Sequence, residues 1–255
     1  MKKYYYKVAK FIIEVLLDNQ PNKKLKNMLF NCLSEFSIDK RDNSTDLYLE
    51  LKNRYESEYV LMNNKVFLKL YEREKPNKFI SSAKINPEHL QLLLKNAIKY
   101  AMKRHKDFLF HASACLIDNK AVLFTGESAS GKSTIVKLLS KNYRPLCDDL
   151  AIIRKENNGY VVYQTPYKEK NRYSKSSQGY IIDSLYFVHR SNYFRIKPLD
   201  VMRNVSYITY LSKQMYIDAD RKAIMRFIFW LENKIYDIYF PKQGNAKLYD
   251  YFEVI

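Results

Sequence analysis

Three observations predict an α/β fold in which a small β-rich region precedes a larger core. Short runs rich in Tyr, Val, Leu and Phe, separated by Asn and Asp, occupy residues 3 to 74 and read as strands. From residue 87 onward, such runs alternate with stretches whose apolar residues recur at helical spacing. The chain has only five Gly, and two of them, Gly126 and Gly131, stand between one apolar run and one helical stretch. The boundary is placed near residue 86, giving a β-rich region over 1–86 and an α/β domain over 87–255.

The elements follow in order. Residues 3 to 17, then "DLYLELKN", "EYVLMNN" and "KVFLKLYERE", read as strands, with "MNNK" at 62 to 65 as a hairpin turn because Asn tolerates positive φ. A polar stretch bounded by Pro76 and Pro87 ends this region. "PEHLQLLLKNAIKYAMKRH" starts with Pro at a helix N-terminus and repeats its apolar residues at helical spacing. "FLFHASACLID" and "KAVLFTG" form a hairpin around "DNK", the second strand ending at Gly126, and "KSTIVKLLSK" is a helix. "RPLCDDLAIIRK" and "YVVYQT" continue the sheet. "KEKNRYSKSSQG", 168 to 179, has no periodicity and reads as a mobile loop. "YIIDSLYFVHR" returns to strand, helices follow near 198 to 212 and 218 to 234, and "IYDIYF" is the last strand.

Composition bounds the function. Hydrophobic residues make up 47% and charged residues 28%, the balance of a folded protein. The net charge of +17 comes from scattered Lys, and no dense Lys/Arg run marks a nucleic-acid surface. The longest apolar stretches, such as "FIFWL", are too short to span a bilayer, and Glu14 interrupts the apolar N-terminal run. Cys32, Cys115 and Cys147 make no CxxC pair and read as reduced thiols. A soluble, cytoplasmic protein is expected, and the sequence leaves a homo-oligomer open.

The chemistry concentrates at 126 to 149. "GESASGKS" satisfies G-x-x-x-x-G-K-[ST] between a predicted strand and a predicted helix. Gly at both ends lets backbone N–H groups wrap a phosphate, and the helix N-terminus adds partial positive charge. In this pattern Lys132 reaches the β/γ-phosphates and the Ser133 hydroxyl meets Mg²⁺. The expected nucleotide cradle is thus Gly126, Ser128, Ala129, Ser130, Gly131, Lys132, Ser133 and Thr134, with ATP and Mg²⁺ as cofactors. Asp148 and Asp149 lie 22 and 23 residues after Gly126, at the end of a short strand. Adjacent strand residues face opposite sides, so one carboxylate is free to meet the metal while the other faces an acceptor. His111 sits on the strand before the Gly126 strand. Alone it reads as a packed core histidine; at the strand edge it could bond an acidic base and orient it.

"HASA", "GESASGKST" and "CDDLAII", in this order and with 15 residues from His111 to Gly126, resemble the kinase domain of HPr kinase/phosphorylase and its stand-alone relatives. The resemblance covers roughly 87 to 212. It implies a P-loop kinase core of the type shared with phosphoenolpyruvate carboxykinase, and phosphoryl transfer to a serine hydroxyl. It further implies Asp148 as catalytic base, Asp149 and Ser133 as metal ligands, and His111 and Lys132 as active-site groups. Ala129 stands where the bifunctional enzyme usually has Gly, and its R-G-x-G motif is missing, which sets the chain apart from HPr phosphorylation. The short relatives that act on peptides, lasso-peptide kinases among them, or on free serine are more similar. The expected acceptor is therefore a peptide or protein serine; the alternatives are a small-molecule kinase and a non-catalytic nucleotide-dependent binding module. Lys168, Lys170, Arg172 and Lys175 are placed to close over the phosphates or simply to face solvent.

Overall fold

The computed structural model describes residues 2–18, 23–39, 44–52, 59–63, 65–81, 86–167, 169, 173–201, 203–216, 221–241 and 246–253. The chain packs as two units: residues 1–105 with 166–168 and 175–177, and the remainder.

In the first unit β1 (Lys2–Val8) and β2 (Phe11–Leu17) form an antiparallel hairpin, turned where Ala9 adopts φ 51°. The run 3 to 17 is therefore two strands. Helix α1 (Lys23–Leu33) follows and buries Leu25, Met28, Leu29 and Leu33 at helical spacing, a stripe that its Lys and Asn residues obscure in the sequence. Next come β3 (Leu47–Leu51), β4 (Tyr59–Met62), β5 (Lys65–Leu68), β6 (Glu72–Lys75), β7 (Lys78–Ser81) and α2 (Pro87–His105). The main sheet has the order β1-β2-β3-β7-β6, and β3 runs parallel to both β2 and β7. Strands β4 and β5 pair separately around Asn63, at φ 51°; Asn64 lies outside the described residues. The side chain of Asn86 caps α2 by accepting from the His89 N–H at 2.7 Å. Expected to open the second region, α2 instead packs with this unit against α1 and β3, covering Leu90, Leu93, Leu94, Ala97 and Ile98. The region is mixed α/β, because two amphipathic helices join its strands.

The second unit starts with β8 (Phe108–His111), β9 (Ser113–Ile117), β10 (Lys120–Thr125), α3 (Lys132–Leu139), β11 (Arg144–Cys147), β12 (Leu150–Glu156) and β13 (Gly159–Gln164). It continues with β14 (Gly179–Arg190), β15 (Arg195–Pro198), α4 (Val205–Gln214), β16 (Met215–Tyr216), α5 (Arg221–Trp230), β17 (Ile235–Phe240) and α6 (Ala246–Glu253). The run "FLFHASACLID" breaks at Ala112 into β8 and β9. The β9–β10 hairpin forms as expected, with Asp118 and Asn119 at φ 46° and 61°, the turn that matches strand twist.

The sheet order is β11-β9-β10-β14-β13-β12-β8-β16, with β17 beside β14 and β15 beside β17. The twelve-residue β14 joins two halves: its first residues pair with β13, its last with β10 and β17. Strands β10, β14 and β17 are parallel, so their carboxyl ends share one edge. Strand alternation sorts the core into two layers. Leu123, Leu185 and Phe187 pack with Leu211 of α4 and Phe227 of α5. Phe124, Tyr186 and Val188 pack with Ile135 and Val136 of α3 and Phe252 of α6.

Two of the passages between the halves lie at Ala112, from β8 to β9, and at Asp148–Asp149, from β11 to β12. Both passages fall at the same place, because Leu150 pairs with His111 and the Ser113 hydroxyl donates to the Asp148 carbonyl.

Candidate functional site

The loop 126–131 links β10 to α3 at the carboxyl edge of the parallel strands, the edge at which open α/β sheets hold ligands. Its backbone requires glycine at both ends. Gly126 has φ 149°, and a Cβ there would lie 2.8 Å from the Val188 carbonyl oxygen. Gly131 has φ 107°, and its Cβ would lie 2.9 Å from Cζ of buried Phe240. Ala129, at φ 64°, also takes the left-handed conformation that glycine adopts most easily.

Helix α3 begins without a side-chain cap. Its first helical bond runs from the Ile135 N–H to the Gly131 carbonyl, so the N–H groups of Lys132, Ser133 and Thr134 precede it. The Ser130 hydroxyl is buried and has no hydrogen-bond partner among the described residues. An uncapped, half-buried helix start beside a hydroxyl that has no partner among the described residues is the polar deficit that an anion relieves. Lys132 is buried, and its ammonium donates to the carbonyls of Gly126 at 2.7 Å and Glu127 at 3.0 Å, tying the loop to its helix.

Asp148 and Asp149 occupy the two-residue bend between β11 and β12, not the strand itself, and their surroundings differ sharply. Asp148 is buried, and its Oδ1 accepts from the Tyr173 hydroxyl at 2.9 Å. Burial, reinforced by the Asp148 charge, pushes the Cys115 thiol up, so this cysteine is a protonated core residue. Asp149 is exposed, and its Oδ1 lies 2.9 Å from Nε2 of His111. Nδ1 of His111 faces Oε1 of Gln214, the last residue of α4, at 2.9 Å. The carboxylate that the His111 imidazole meets is that of Asp149, whereas the expectation was that it would orient a base at Asp148. The cause is register, since His111 pairs with Leu150, the residue next to Asp149.

The structure thus brings His111 to Asp149, and the Thr125 hydroxyl to the His111 carbonyl at 3.4 Å, immediately before the glycine loop. Ser128 and Ala129 are exposed on the loop, and Ser133 and Thr134 are half-buried in the first turn of α3. Lys168, Lys170 and Arg172 lie outside the described residues, and the ammonium of Lys175 is engaged by the Tyr167 carbonyl. Tyr173 and Gln214 are site residues that sequence reading missed. Tyr173 sits in an aperiodic Lys/Ser-rich run and Gln214 at a helix end, and neither position carries a motif.

Among the described residues no group of three or more His, Cys, Asp or Glu forms a metal cage. A hydroxyl such as that of Ser133 and a carboxylate such as that of Asp149 are oxygen donors of the kind Mg²⁺ takes. That ion keeps several waters and is held by one or two carboxylates together with substrate phosphates.

Among the described residues no helix is long and apolar enough to cross a membrane. Neither a family model nor a curated protein matches the chain. Among solved structures, the HPr(Ser) kinase/phosphatase from Coxiella burnetii is similar at 14% identity and a TM-score of 0.31, over 57% of this chain and 91% of its own. At that level of identity and superposition nothing about chemistry passes from one protein to the other; what the site can do follows from its own residues.

Proposed function

We propose that the chain is an ATP- and Mg²⁺-dependent kinase that transfers the γ-phosphoryl group to a serine hydroxyl of a peptide or protein. The observation that carries this reading is the loop 126–133. It joins two positive-φ glycines, an uncapped helix start, an orphaned Ser130 hydroxyl and a buried lysine at one sheet edge. The uncapped helix start and the Ser130 hydroxyl cost stability in an empty loop, and a bound polyphosphate would use both together with the lysine.

ATP supplies the phosphoryl group when bound, and Mg²⁺ neutralises phosphate charge. The residues of the chain bind and position. The N–H groups of Lys132, Ser133 and Thr134 would donate to phosphate oxygens, and the Lys132 ammonium would add charge beside them. His111 holds one oxygen of Asp149, and Asp149 and Ser133 are the residues that would hold the cation. Asp148 receives the acceptor proton in the roles implied by the resemblance, and Tyr173 fixes its carboxylate. Catalysis of this kind is mostly positioning and charge neutralisation.

Incubation with γ-labelled ATP against a peptide library and free serine, followed by mass spectrometry, tests the proposal. Phosphoserine in a peptide supports it. Label on free serine alone moves the acceptor to a small molecule, and ATP binding without transfer to any hydroxyl refutes the kinase assignment.

A further inference from the structure

Strands β4 and β5 form a ribbon outside the main sheet of the first unit, and among the described residues each has the other as its only strand partner. Leu61 lies opposite Val66, and Tyr59 opposite Leu68. Alternation along each strand therefore puts these four side chains on one face. That face is open. Leu61 is 71% exposed, Val66 69% and Tyr59 65%, and only Leu68 is half-buried.

The same unit protects a different edge with charge. Strand β6 ends the main sheet, and its four residues, Glu72, Arg73, Glu74 and Lys75, are all exposed. Charged side chains of this kind keep a foreign strand from adding to an open edge. The ribbon has the opposite composition: Tyr, Val, Leu and Met in β4, and a single Lys in β5. Two strands alone are also marginal in water, and a third strand or a cover over the apolar face is what stabilises such a unit.

The shape of the ribbon selects its occupant. It offers main-chain N–H and C=O groups along its outer edges together with an apolar face of alternating side chains. A helix or a lipid surface would meet the face alone, whereas an extended segment meets both. A second copy of the chain is disfavoured by size and by charge. The face measures about 10 Å by 14 Å from strand spacing and rise, against the ~800 Å² that each partner gives to a stable interface. Two chains of net charge +17 also repel, and the same charge favours a segment that is neutral or acidic.

We infer that the β4–β5 ribbon docks an extended segment of a partner peptide or protein, added as a third strand along one edge. The segment carries apolar side chains at alternate positions, which extend the Tyr59–Leu61–Val66 face, and neutral or acidic ones between them. This inference stands apart from the nucleotide reading of the loop 126–133, and its test uses neither ATP nor turnover.

The probe is the fluorescein-labelled peptide Glu-Val-Thr-Val-Thr-Val-Glu, titrated with the full chain by fluorescence anisotropy, with hydrogen exchange of the ribbon amides measured alongside. Saturable binding below about 1 mM is expected, with slowed exchange over 59–62 and 65–68. Leu61→Ser/Val66→Ser should weaken it by about 2- to 30-fold, the loss of two cross-strand contacts. Both residues are exposed, so this variant should keep the wild-type melting temperature. The fully N-methylated peptide should not bind, because it cannot complete a main-chain ladder. Equal binding of that peptide overturns strand addition, and unchanged affinity in the double variant overturns the ribbon as the site. Absence of saturable binding up to about 1 mM overturns the proposal outright. A chain that sediments as a dimer, and as a monomer after the same double substitution, would make a second copy the occupant and overturn the partner assignment.

Discussion

Nε2 of His111 and Oδ1 of Asp149 lie 2.9 Å apart at the point where the chain passes between the two halves of the sheet. Asp148, one residue away, is buried under Tyr173. Two adjacent carboxylates thus have separate partners, and substitutions should separate them. On the proposed function, Asp149→Asn and His111→Ala should both raise the Mg²⁺ needed for half-maximal rate, because Asp149 would hold the ion and His111 holds Asp149. Asp148→Asn should leave Mg²⁺-ATP binding nearly intact and slow transfer by roughly 10²–10⁴-fold, the contribution of a positioned base. Metal titration of the three variants checks this. If His111→Ala follows Asp148→Asn rather than Asp149→Asn, the pairing seen here is not the one used in turnover.

Lys132→Ala should abolish nucleotide-dependent activity while the unit stays folded. The ammonium supplies the charge at the loop and holds its first two carbonyls. Hydrogen bonds from a charged donor contribute about 1.5–3 kcal/mol each in buried settings, so a fall in melting temperature is expected beside the loss of ATP affinity. Calorimetry and circular dichroism on the same preparation read both. Unchanged ATP affinity together with unchanged turnover would remove Lys132 from the site.

The sequence made the loop legible because its chemistry is local. Gly126, Gly131, Lys132 and Ser133 fall within one strand–turn–helix segment, so spacing alone predicts where their backbone lies. The β9–β10 hairpin was readable for the same reason, through Asp118 and Asn119. Partners set by non-local pairing were not readable. Which aspartate meets His111 depends on the β8–β12 register, and that register is fixed only when β12 docks beside β8. Helix α1 escaped notice because its apolar stripe is diluted by Lys and Asn, and the grouping of α2 depends on packing that no local signal encodes.

Asp107 and Arg154 form a buried, multiply bonded pair within the second unit, with Nε of Arg154 at 3.0 and 2.9 Å from the two carboxylate oxygens. Asp107→Ala leaves a guanidinium buried without its counter-charge. The expected cost is about 3–5 kcal/mol, read as a lower denaturant midpoint with an unchanged slope. The double variant Asp107→Leu/Arg154→Met should recover much of that loss, since neither charge then remains to be compensated.

Alkaline pH should destabilise the protein well before its lysines titrate fully. Burial pushes the phenols of Tyr6 and Tyr207 up to about 12, with Asp237 adding to the shift at Tyr207. Both groups have a folded pKa above the unfolded value near 10, so the folded state binds more protons between these limits. Their stabilising contribution is complete below pH 10 and is lost as pH rises toward 12. Melting temperatures measured from pH 8 to 12 should stay level and then fall from about pH 10. A level profile to pH 12 would mean these phenols ionise equally in both states.

Ala129 and Gly131 provide opposite tests of the loop backbone. Ala129 holds φ 64° on an exposed part of the loop, a conformation that costs an L-residue with a Cβ roughly 1–2 kcal/mol. Ala129→Gly removes that strain and adds about 0.4–1 kcal/mol of unfolded-chain entropy, so stability should stay level or rise by about 1 kcal/mol. Gly131→Ala introduces a Cβ at φ 107°, 2.9 Å from Cζ of Phe240, whose ring is buried in the core and cannot retreat cheaply. That substitution should cost about 1–3 kcal/mol, and by tilting the start of α3 it should weaken ATP binding more than stability alone accounts for. Thermal melts and ATP titrations of the two variants check both signs. A Gly131→Ala protein as stable and as competent in ATP binding as the wild type would show that the positive φ at this position is not required by the loop.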